Sequence, residues 1–498
     1  MVSVPTIQFR PVELPASGTL VVFAADGMTL GESARRADEA SDGLITAAAE
    51  AQGFKGKRFA TLTIPLPRGL SARALVVVGL GDVAKLGEAD WAKLGGTVAG
   101  ALPSGPDTDV TVFAEGPEGA LTAEQAADIA LGIVLRSYTF DIYKKKPSDE
   151  PDPAPRAVTL CVASTAAVEA RWQAVEAIAA GTMAARDLVN EPANVLGPVE
   201  FAARAAALAD LGVEITVMEP AELEELDMKM LLGVAQGSER PARVVLMQWK
   251  GGAEGAAPVA LVGKGVVFDT GGISIKPAGG MEDMKGDMGG AAAVVGTMTA
   301  IAKRKAKANV IGIIGLVENM PDGKAQRPGD IVRSKSGQTV EIINTDAEGR
   351  LVLGDLLTYT IDRFSPAVTI DLATLTGAII VALGHFHAGL YATEDDTAAK
   401  LLAAGTATGD QVWRMPLSKD YDGLIDSKVA DMKNTGGRSA GSITAAQFLK
   451  RYVGETNWVH IDLAGTAMGG PTTEISRTFG SGWGVRLLER YIADNFEG

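Results

Sequence analysis

Runs of apolar residues alternate with alanine-rich stretches through the first third of the chain. Apolar, β-branched runs flanked by turn residues predict four strands there, at 19–24, 73–79, 109–114 and 157–163. The alanine-rich stretches at 89–102 and 122–137 are compatible with helices. Because strands that alternate with helices favour a parallel sheet covered by helices, this region predicts an α/β domain.

The same alternation returns after residue 190. Further apolar runs predict strands at 213–217, 243–248, 259–262, 310–316, 340–343, 368–372, 388–393 and 458–462. No fixed-period repeat or low-complexity tract interrupts them, which excludes solenoid and fibrous architectures. A second α/β region is therefore predicted.

A long alanine-rich stretch at 165–188 separates the two regions and ends near 190–194, where proline and asparagine favour a turn. A chain of 498 residues should form more than one domain, because single cores rarely exceed about 250–300 residues. We predict an N-terminal domain at 1–164, a linker helix at 165–190 and a larger C-terminal domain at 191–498. A segment rich in lysine, proline and aspartate, 144–155, predicts an exposed loop.

The composition is that of a soluble globular protein, with 47% hydrophobic and 21% charged residues. The formal charge of −15 disfavours nucleic acid and anionic membranes as partners. The single cysteine, Cys161, cannot form an internal disulfide, which fits a reducing compartment. No secretory signal opens the sequence, and no stretch approaches the ~20 apolar residues of a membrane span. We therefore expect a cytoplasmic protein with no membrane partner.

One unusual stretch, 258–290, places charged side chains among apolar residues and glycines. They are Lys264, Asp269, Lys276 and Asp287. Each of them alone fits a structural ion pair. Together they do not resemble a solvated face, because buried charges are costly unless they are paired or bound to metal.

A second stretch, 344–353, places Asp346, Glu348 and Arg350 at alternate positions. A strand-like run precedes it and a helix-like run, 351–364, follows it, so we predict a strand-to-helix turn. Backbone N–H groups at such a turn favour anions. In isolation the same triplet also fits a solvated turn.

Taken together, the two stretches supply four carboxylates and two lysines. Hard oxygen ligands in that number can hold two divalent ions, with some carboxylates bridging them. Two ions about 3.5–4 Å apart can activate a water and polarise a carbonyl or phosphoryl group. The pattern therefore predicts a two-metal hydrolase, and it leaves peptides, other amides and phosphate esters open as substrates.

Other catalytic patterns are weak. Gly-Arg-Ser-Ala-Gly at 437–441 follows a polar segment, whereas a nucleophile elbow requires a strand before the serine. There is no His-Glu-x-x-His, so we interpret His385, His387 and His460 as structural. The absence of a Walker A glycine loop excludes the usual nucleotide hydrolases.

The sequence Asn-Thr-Asp-Ala-Glu-Gly-Arg-Leu at 344–351 resembles the signature of the leucyl aminopeptidases, the cytosol aminopeptidase family of two-metal exopeptidases. The resemblance extends to motifs at 262–272, 284–292, 373–378 and 434–438, and covers roughly 185–485. The N-terminal third resembles the family only in its general α/β character.

The resemblance implies roles for the matching residues. The metal ligands would be Lys264, Asp269, Asp287, Asp346 and Glu348. Asp269 and Glu348 would bridge two divalent ions, Mn²⁺ or Zn²⁺, with Lys264 and Asp287 on one ion and Asp346 on the other. Lys276 and Arg350 would be catalytic, and Arg350 would hold a bicarbonate ion that serves as general base. Lys264 can be a ligand only when neutral.

The resemblance also implies a pocket for the N-terminal side chain of a peptide. Its walls would be Met284, Thr374, Gly377, Ala464 and Ala467, and Ala467 stands where some relatives carry methionine. The implied activity is removal of N-terminal residues, leucine-like ones preferred, from peptides with a free N-terminus.

The implied fold is α/β with two domains, each a mostly parallel or mixed sheet flanked by helices. The N-terminal domain would be smaller and macro-like, and the larger C-terminal domain would be catalytic. The implied assembly is a homohexamer of two stacked trimers. The alternatives are a two-metal phosphoesterase or amidase, and a protein that binds nucleotide or nucleic acid through the N-terminal domain.

Overall fold

A computed structural model describes residues 4–104, 109–145 and 155–497. The described chain divides into two compact units, one formed by Met1–Ala179 with Thr472–Thr478 and the other by Ala180–Pro471 with Phe479–Gly498. Most of the predicted loop 144–155 lies outside the described residues. No helix in the described ranges combines the length and the apolar character that crossing a membrane requires.

The first unit is an α/β layer structure. Its strands are β1 (Thr6–Arg10), β2 (Thr19–Ala25), β3 (Thr29–Leu30), β4 (Thr61–Pro65), β5 (Ala74–Gly81), β6 (Asp109–Phe113), β7 (Glu115–Gly116), β8 (Gly119–Ala120) and β9 (Ala157–Cys161). Its helices are α1 (Glu32–Ala40), α2 (Leu44–Gln52), α3 (Glu88–Ala101) and α4 (Ala123–Ser137). The main sheet has the order β1-β9-β6-β2-β5-β4, with β3 paired to β2, and it is parallel except at β4 and β3.

A long helix, α5 (Thr165–Asn190), follows the first unit's last strand, and the division between the two units falls within it. The predicted domain limits at 164 and 190 stay a prediction. The short segment Thr472–Thr478 joins the first unit although it lies close to the C-terminus. No hydrophobic pattern in the sequence signalled that return.

The second unit is larger. Its helices are α6 (Pro198–Ala206), α7 (Pro220–Glu225), α8 (Lys229–Ala235), α9 (Gly289–Arg304), α10 (Gly349–Phe364), α11 (Gly377–Leu383), α12 (Asp395–Thr408), α13 (Gly441–Lys450) and α14 (Val485–Phe496). Its strands are β10 (Glu214–Met218), β11 (Arg243–Lys250), β12 (Val259–Asp269), β13 (Asn309–Asn319), β14 (Ile331–Arg333), β15 (Thr339–Glu341), β16 (Val368–Ala373), β17 (Ala388–Ala392), β18 (Val412–Arg414), β19 (Met432–Lys433) and β20 (Trp458–Asp462).

The main sheet of the second unit has the order β10-β11-β13-β12-β16-β20-β17-β18. Its centre, from β13 through β12 and β16 to β20, is parallel, and antiparallel pairs lie towards both edges. Apolar side chains alternate between its faces: Leu261 packs into one buried cluster and Val262 into the other. The predicted α/β class with two sheet-and-helix domains is confirmed.

Strand β12 is longer than the sequence pattern indicated, because Gly263 and Gly265 interrupt the apolar run that ended at 262. The strand continues to Asp269, so Lys264 is a strand residue. A Cβ at Gly263 would lie 2.6 Å from Ala291 Cα, and one at Gly265 would lie 2.6 Å from Gly315 O. Glycine at these positions allows helix α9 and strand β13 to approach the strand closely.

Candidate active site

The site lies where the central parallel strands end. Lys264 and Asp269 are on the last part of β12, and a short 3₁₀ turn, Met281–Gly286, places Asp287 just before α9. Asp346 and Glu348 occupy the turn that leads into α10. Ligand crevices in open α/β sheets form outside the carboxyl ends of the strands, which is where these side chains meet.

These side chains surround a cavity of about 360 Å³. Ten of the twelve residues singled out in the sequence line it: Lys264, Asp269, Lys276, Met284, Asp287, Asp346, Glu348, Thr374, Gly377 and Ala464. The other two, Arg350 and Ala467, are buried outside the lining. Met468, the residue after Ala467, contributes to the wall instead.

Lys264 is the most enclosed cation of the site. Its Nζ lies 2.8 Å from Asp287 Oδ1 and 2.8 Å from Glu348 Oε1, and it donates a 2.8 Å hydrogen bond to Thr374 O. Burial favours the neutral amine, but Asp287, Glu348 and Asp269 outweigh it and raise the pKa of Lys264. Without bound cations, the ammonium neutralises part of the carboxylate cluster.

Lys276 approaches the same cluster from the pocket wall. Its Nζ lies 2.7 Å from Asp269 Oδ2 and also forms an ion pair with Asp346. The side chain of Lys276 is 21% exposed, compared with 3% for Lys264. Burial opposes its charge, yet Asp269 and the other carboxylates raise the pKa of Lys276, so the group is an ammonium at neutral pH.

The four carboxylates carry more negative charge than the two lysines neutralise. Burial and the charge of Glu348 raise the pKa of Asp269 to about 6. Burial raises the pKa of Asp287 to about 8, although Lys264 opposes the shift. Burial is the main cause of both shifts, and the two lysines offset it only in part.

The donor set fits divalent cations. Carboxylate oxygens of Asp269, Asp346 and Glu348 all lie within 4.8 Å of one another. Asp287 Oδ2 and Glu348 Oε2 are buried and have no hydrogen-bond partner. Buried, unpartnered carboxylate oxygens in a group with excess negative charge are what a hard cation such as Mn²⁺ or Mg²⁺ requires.

Asn319 and Thr345 link the two stretches, and Asn434 anchors the second of them. Asn319 Nδ2 donates to Asp269 Oδ1 at 2.7 Å and to Thr345 O at 3.1 Å. Thr345 Oγ1 donates to Gly271 O at 2.6 Å. Asn434 Nδ2 donates to Asn344 O at 2.7 Å, and Asn434 Oδ1 accepts from the backbone of the same turn. Hydrogen bonds therefore join the stretches around Asp269 and Asp346 directly.

Arg350 lies in the first turn of α10 and is buried. Its Nε has no hydrogen-bond partner. Burial lowers the pKa of Arg350 to about 10, while Glu348 and Asp462 oppose the shift. The guanidinium remains charged at neutral pH and retains donors for an anion.

Asp462, at the end of β20, was not singled out in the sequence. Its Oδ1 accepts from Leu375 N at 3.1 Å and Ala464 N at 3.3 Å, and its Oδ2 accepts from Thr376 Oγ1 at 2.6 Å. One buried carboxylate thus fixes both the loop after β16 and the segment after β20, and both form pocket wall. The sequence feature that could have identified Asp462 is its position as an acidic residue at the end of the predicted strand 458–462.

We predict that Asp462→Asn misplaces this wall, because the amide leaves only an uncharged acceptor for the backbone N–H groups and turns the acceptor that faces Thr376 Oγ1 into a donor. Losing one or two charge-assisted bonds, each about 1.5–3 kcal/mol, should raise KM for a leucine anilide at least tenfold. The kcat value should change less. Steady-state kinetics test this, with the exposed Asp396→Asn as control; a fall confined to thermal stability would contradict a positioning role.

The histidines and the serine motif do not join the site. His460 Nδ1 lies 2.5 Å from Asp371 Oδ1, and its ring stacks with those of Tyr391 and Trp458. His385 Nδ1 bonds Gly465 O at 2.8 Å. Ser439 is exposed in a loop after β19, not at the end of a strand of the main sheet.

A mixed sheet whose central parallel strands end at a buried, carboxylate-rich cluster suited to divalent cations indicates the class: a metal-dependent enzyme of α/β fold. Family models identify it further. The catalytic-domain model of the cytosol aminopeptidase family matches residues 183–489, and the model of that family's N-terminal domain matches residues 21–147. The chain therefore belongs to the cytosol aminopeptidase family.

Relatives with the same family name match this chain over nearly its full length. A probable cytosol aminopeptidase of Bradyrhizobium sp. (strain BTAi1 / ATCC BAA-1182) is 56% identical over 99% of this chain and 98% of its own length. One from Rhizobium meliloti (strain 1021) is also 56% identical, over 98% of each chain. The predicted aminopeptidase function is confirmed: the chain is a metal-dependent aminopeptidase, a hydrolase.

Solved structures agree with this assignment. A variant of tomato leucine aminopeptidase is 30% identical with a TM-score of 0.88, covering 99% of this chain and 98% of that one. The bottromycin maturation enzyme BotP in complex with Mn is 34% identical with a TM-score of 0.82, covering 96% of this chain and 99% of that one. The phosphoesterase and nucleic-acid alternatives gain no support from these similarities.

Proposed function

We propose that the enzyme removes leucine-like residues from the free N-terminus of peptides with two divalent ions, Mn²⁺ or Zn²⁺. The excess of buried carboxylate over lysine charge is the observation that carries this proposal. The ligands would be Lys264, Asp269, Asp287, Asp346 and Glu348, with Asp269 and Glu348 bridging the ions. Manganese is favoured by the Mn complex of BotP.

When bound, the ions supply Lewis acidity for the attacked carbonyl and an acidified water as nucleophile. Lys264 would hold an ion only as the neutral amine, so metal binding would release its proton to solvent and replace its ion pairs with Asp287 and Glu348. Lys276, on the pocket wall, donates a hydrogen bond to the oxyanion that develops on the substrate.

Arg350 is too basic to accept a proton in catalysis. Its buried guanidinium, with an unpartnered Nε, would hold a bicarbonate ion as general base. This assignment explains why a cation lies beside the metal-binding carboxylates without an ion pair to them among the described residues.

The cavity wall sets the side chain that is accepted. Met284, Thr374, Gly377 and Ala464 contact the cavity, together with Leu375, Ile380 and Met468. These mostly apolar groups suit a leucine-like side chain. Ala467 lies behind this wall, where a Cβ built on Gly289 would be 2.8 Å from its Cβ, so it acts on the pocket only through its neighbours.

We further propose that the enzyme is cytoplasmic and forms a homohexamer. The name shared by the relatives, cytosol aminopeptidase, supports the location. The assembly rests on the family resemblance of the sequence. Multi-angle light scattering tests it: six chains per particle are expected, and a monomer at micromolar concentration would contradict it.

If this substrate proposal is right, the rate of hydrolysis should depend strongly on a free N-terminal amine in the substrate. Leucine p-nitroanilide should be hydrolysed, whereas N-acetyl-leucine p-nitroanilide and p-nitrophenyl phosphate should react at least 100-fold more slowly. A chelator should abolish hydrolysis, and added Mn²⁺ or Zn²⁺ should restore it. Comparable rates on the acetylated anilide would exclude an exopeptidase, and faster phosphate-ester hydrolysis would favour the phosphoesterase.

A further inference from the structure

A cavity of about 410 Å³ lies within the first compact unit, whereas the active-site pocket belongs to the second. Its volume falls in the range of small-molecule sites. Three arginines line it: Arg136 near the end of α4, Arg156 just before β9, and Arg477 in the segment that returns to this unit. This concentration of positive charge contrasts with the net charge of −15.

Few of the guanidinium donors are used. Arg136 Nη1 donates to Thr473 O at 2.6 Å, and Arg156 Nη2 donates to Pro103 O at 2.9 Å. Within the described ranges Arg477 makes neither a hydrogen bond nor an ion pair. Each guanidinium has five N–H donors, so most of them remain available to a ligand.

The positive charges also lack neutralising partners. None of the three arginines forms an ion pair with a carboxylate in the described part of the chain, and Arg136 Nε is buried without a hydrogen-bond partner. Burial and the charge of Arg477 lower the pKa of Arg136, and Glu474 opposes this only from beyond ion-pair distance. Burial also lowers the pKa of Arg156. Partly buried like charges, such as those of Arg136 and Arg156, are costly unless an anion joins them, and the exposed Arg477 adds a third positive charge to the lining.

We propose that this cavity binds phosphate, either as the free ion or as the phosphate group of a small monoester. Guanidinium groups match phosphate oxygens with paired N–H donors, and three of them can surround one dianion. Leu102, Ile133 and Val158 form an apolar wall that can contact the organic part of a monoester. The bond from Arg136 to Thr473 accounts for one of its donors and leaves Nε without a structural role.

Calorimetric titration of the full-length, metal-loaded enzyme tests the proposal, with inorganic phosphate in one arm and glycerol phosphate in the other. We expect one site per chain that is at least tenfold weaker in Arg477→Gln and weaker still in Arg156→Gln/Arg477→Gln. Arg68→Gln changes an exposed arginine of the same unit and should bind as the wild type does. Hydrolysis of leucine anilide, measured in parallel, should stay unchanged in all three variants.

The two arms distinguish the source of the phosphate group. Tighter binding of glycerol phosphate would show that the apolar wall is used, and equal binding would identify the free ion as the ligand. Unchanged affinity in Arg477→Gln and in the double variant would place the bound phosphate elsewhere, at the active-site cations, and would overturn the proposal. Absence of binding at millimolar phosphate would overturn it as well. Since Arg477 is exposed and makes no hydrogen bond or ion pair within the described ranges, its substitution should leave the fold intact.

Discussion

Replacing Glu348 with glutamine should lower kcat/KM at least 1,000-fold, which corresponds to about 4 kcal/mol of transition-state stabilisation. The substitution keeps the shape of the side chain and removes one negative charge from the cluster. Glu348 Oε1 contacts Lys264 and its buried Oε2 has no hydrogen-bond partner, which supports the proposal that Glu348 and Asp269 bridge the ions. With an amide there, the site should retain fewer divalent ions per chain.

Steady-state kinetics and metal analysis on the same preparation test this expectation. The matched control is Glu341→Gln, on β15 seven residues upstream, whose carboxylate accepts a hydrogen bond from Ser427 outside the pocket. Ligands that bind only the folded state raise its melting temperature. The increase on adding Mn²⁺ should therefore be smaller in Glu348→Gln than in the control. Wild-type metal content with wild-type activity would remove Glu348 from the ligand set.

Replacing Lys276 with alanine should lower kcat about 100-fold, since loss of one oxyanion donor costs on the order of 3 kcal/mol. In the structure Lys276 pairs with Asp269 and Asp346, so its loss makes the carboxylate cluster more negative. Metal content should therefore be maintained. This separates Lys276 from the ligands, whose loss should remove metal and activity together.

Single-turnover and steady-state rates on leucine anilide measure the effect. Lys303→Ala removes an exposed lysine of α9 and should leave both rates unchanged. Near-normal turnover in Lys276→Ala would contradict the oxyanion role. Loss of bound metal in that variant would show instead that Lys276 organises the cation site.

The sequence indicated the site because charged residues interrupt runs of apolar residues and glycines there. The turn at Asp346 to Arg350 precedes a helix as predicted, and α10 begins at Gly349, which places Arg350 in its first turn. The sequence pattern predicts a strand at 340–343 and does not specify the strands that pair with it. The strand observed, β15, pairs with β14 and β19 in a small separate sheet. Local pattern indicates a strand, but tertiary pairing decides its sheet.

Other residues of the site could be identified only from their proximity in the folded structure. Asn319, Asn434 and Asp462 act through hydrogen bonds to segments far away in sequence, and single polar residues carry no periodic signal. Spacing alone could not distinguish Ala467, which is buried, from Met468, which lines the cavity. The roles proposed for individual ligands rest on the family resemblance. The structure adds that these residues line one cavity and that their carboxylates outnumber the lysines there.

Residues 264–287 and 346–350 are proposed to form one binuclear site. Titrating Mn²⁺ into the metal-free enzyme, while recording bound metal and leucine anilide hydrolysis together, tests it most directly. We predict two ions per chain in the wild type, full activity only when both are bound, and fewer than two in Glu348→Gln. Full activity with a single ion, or two ions retained in that variant, would contradict the account.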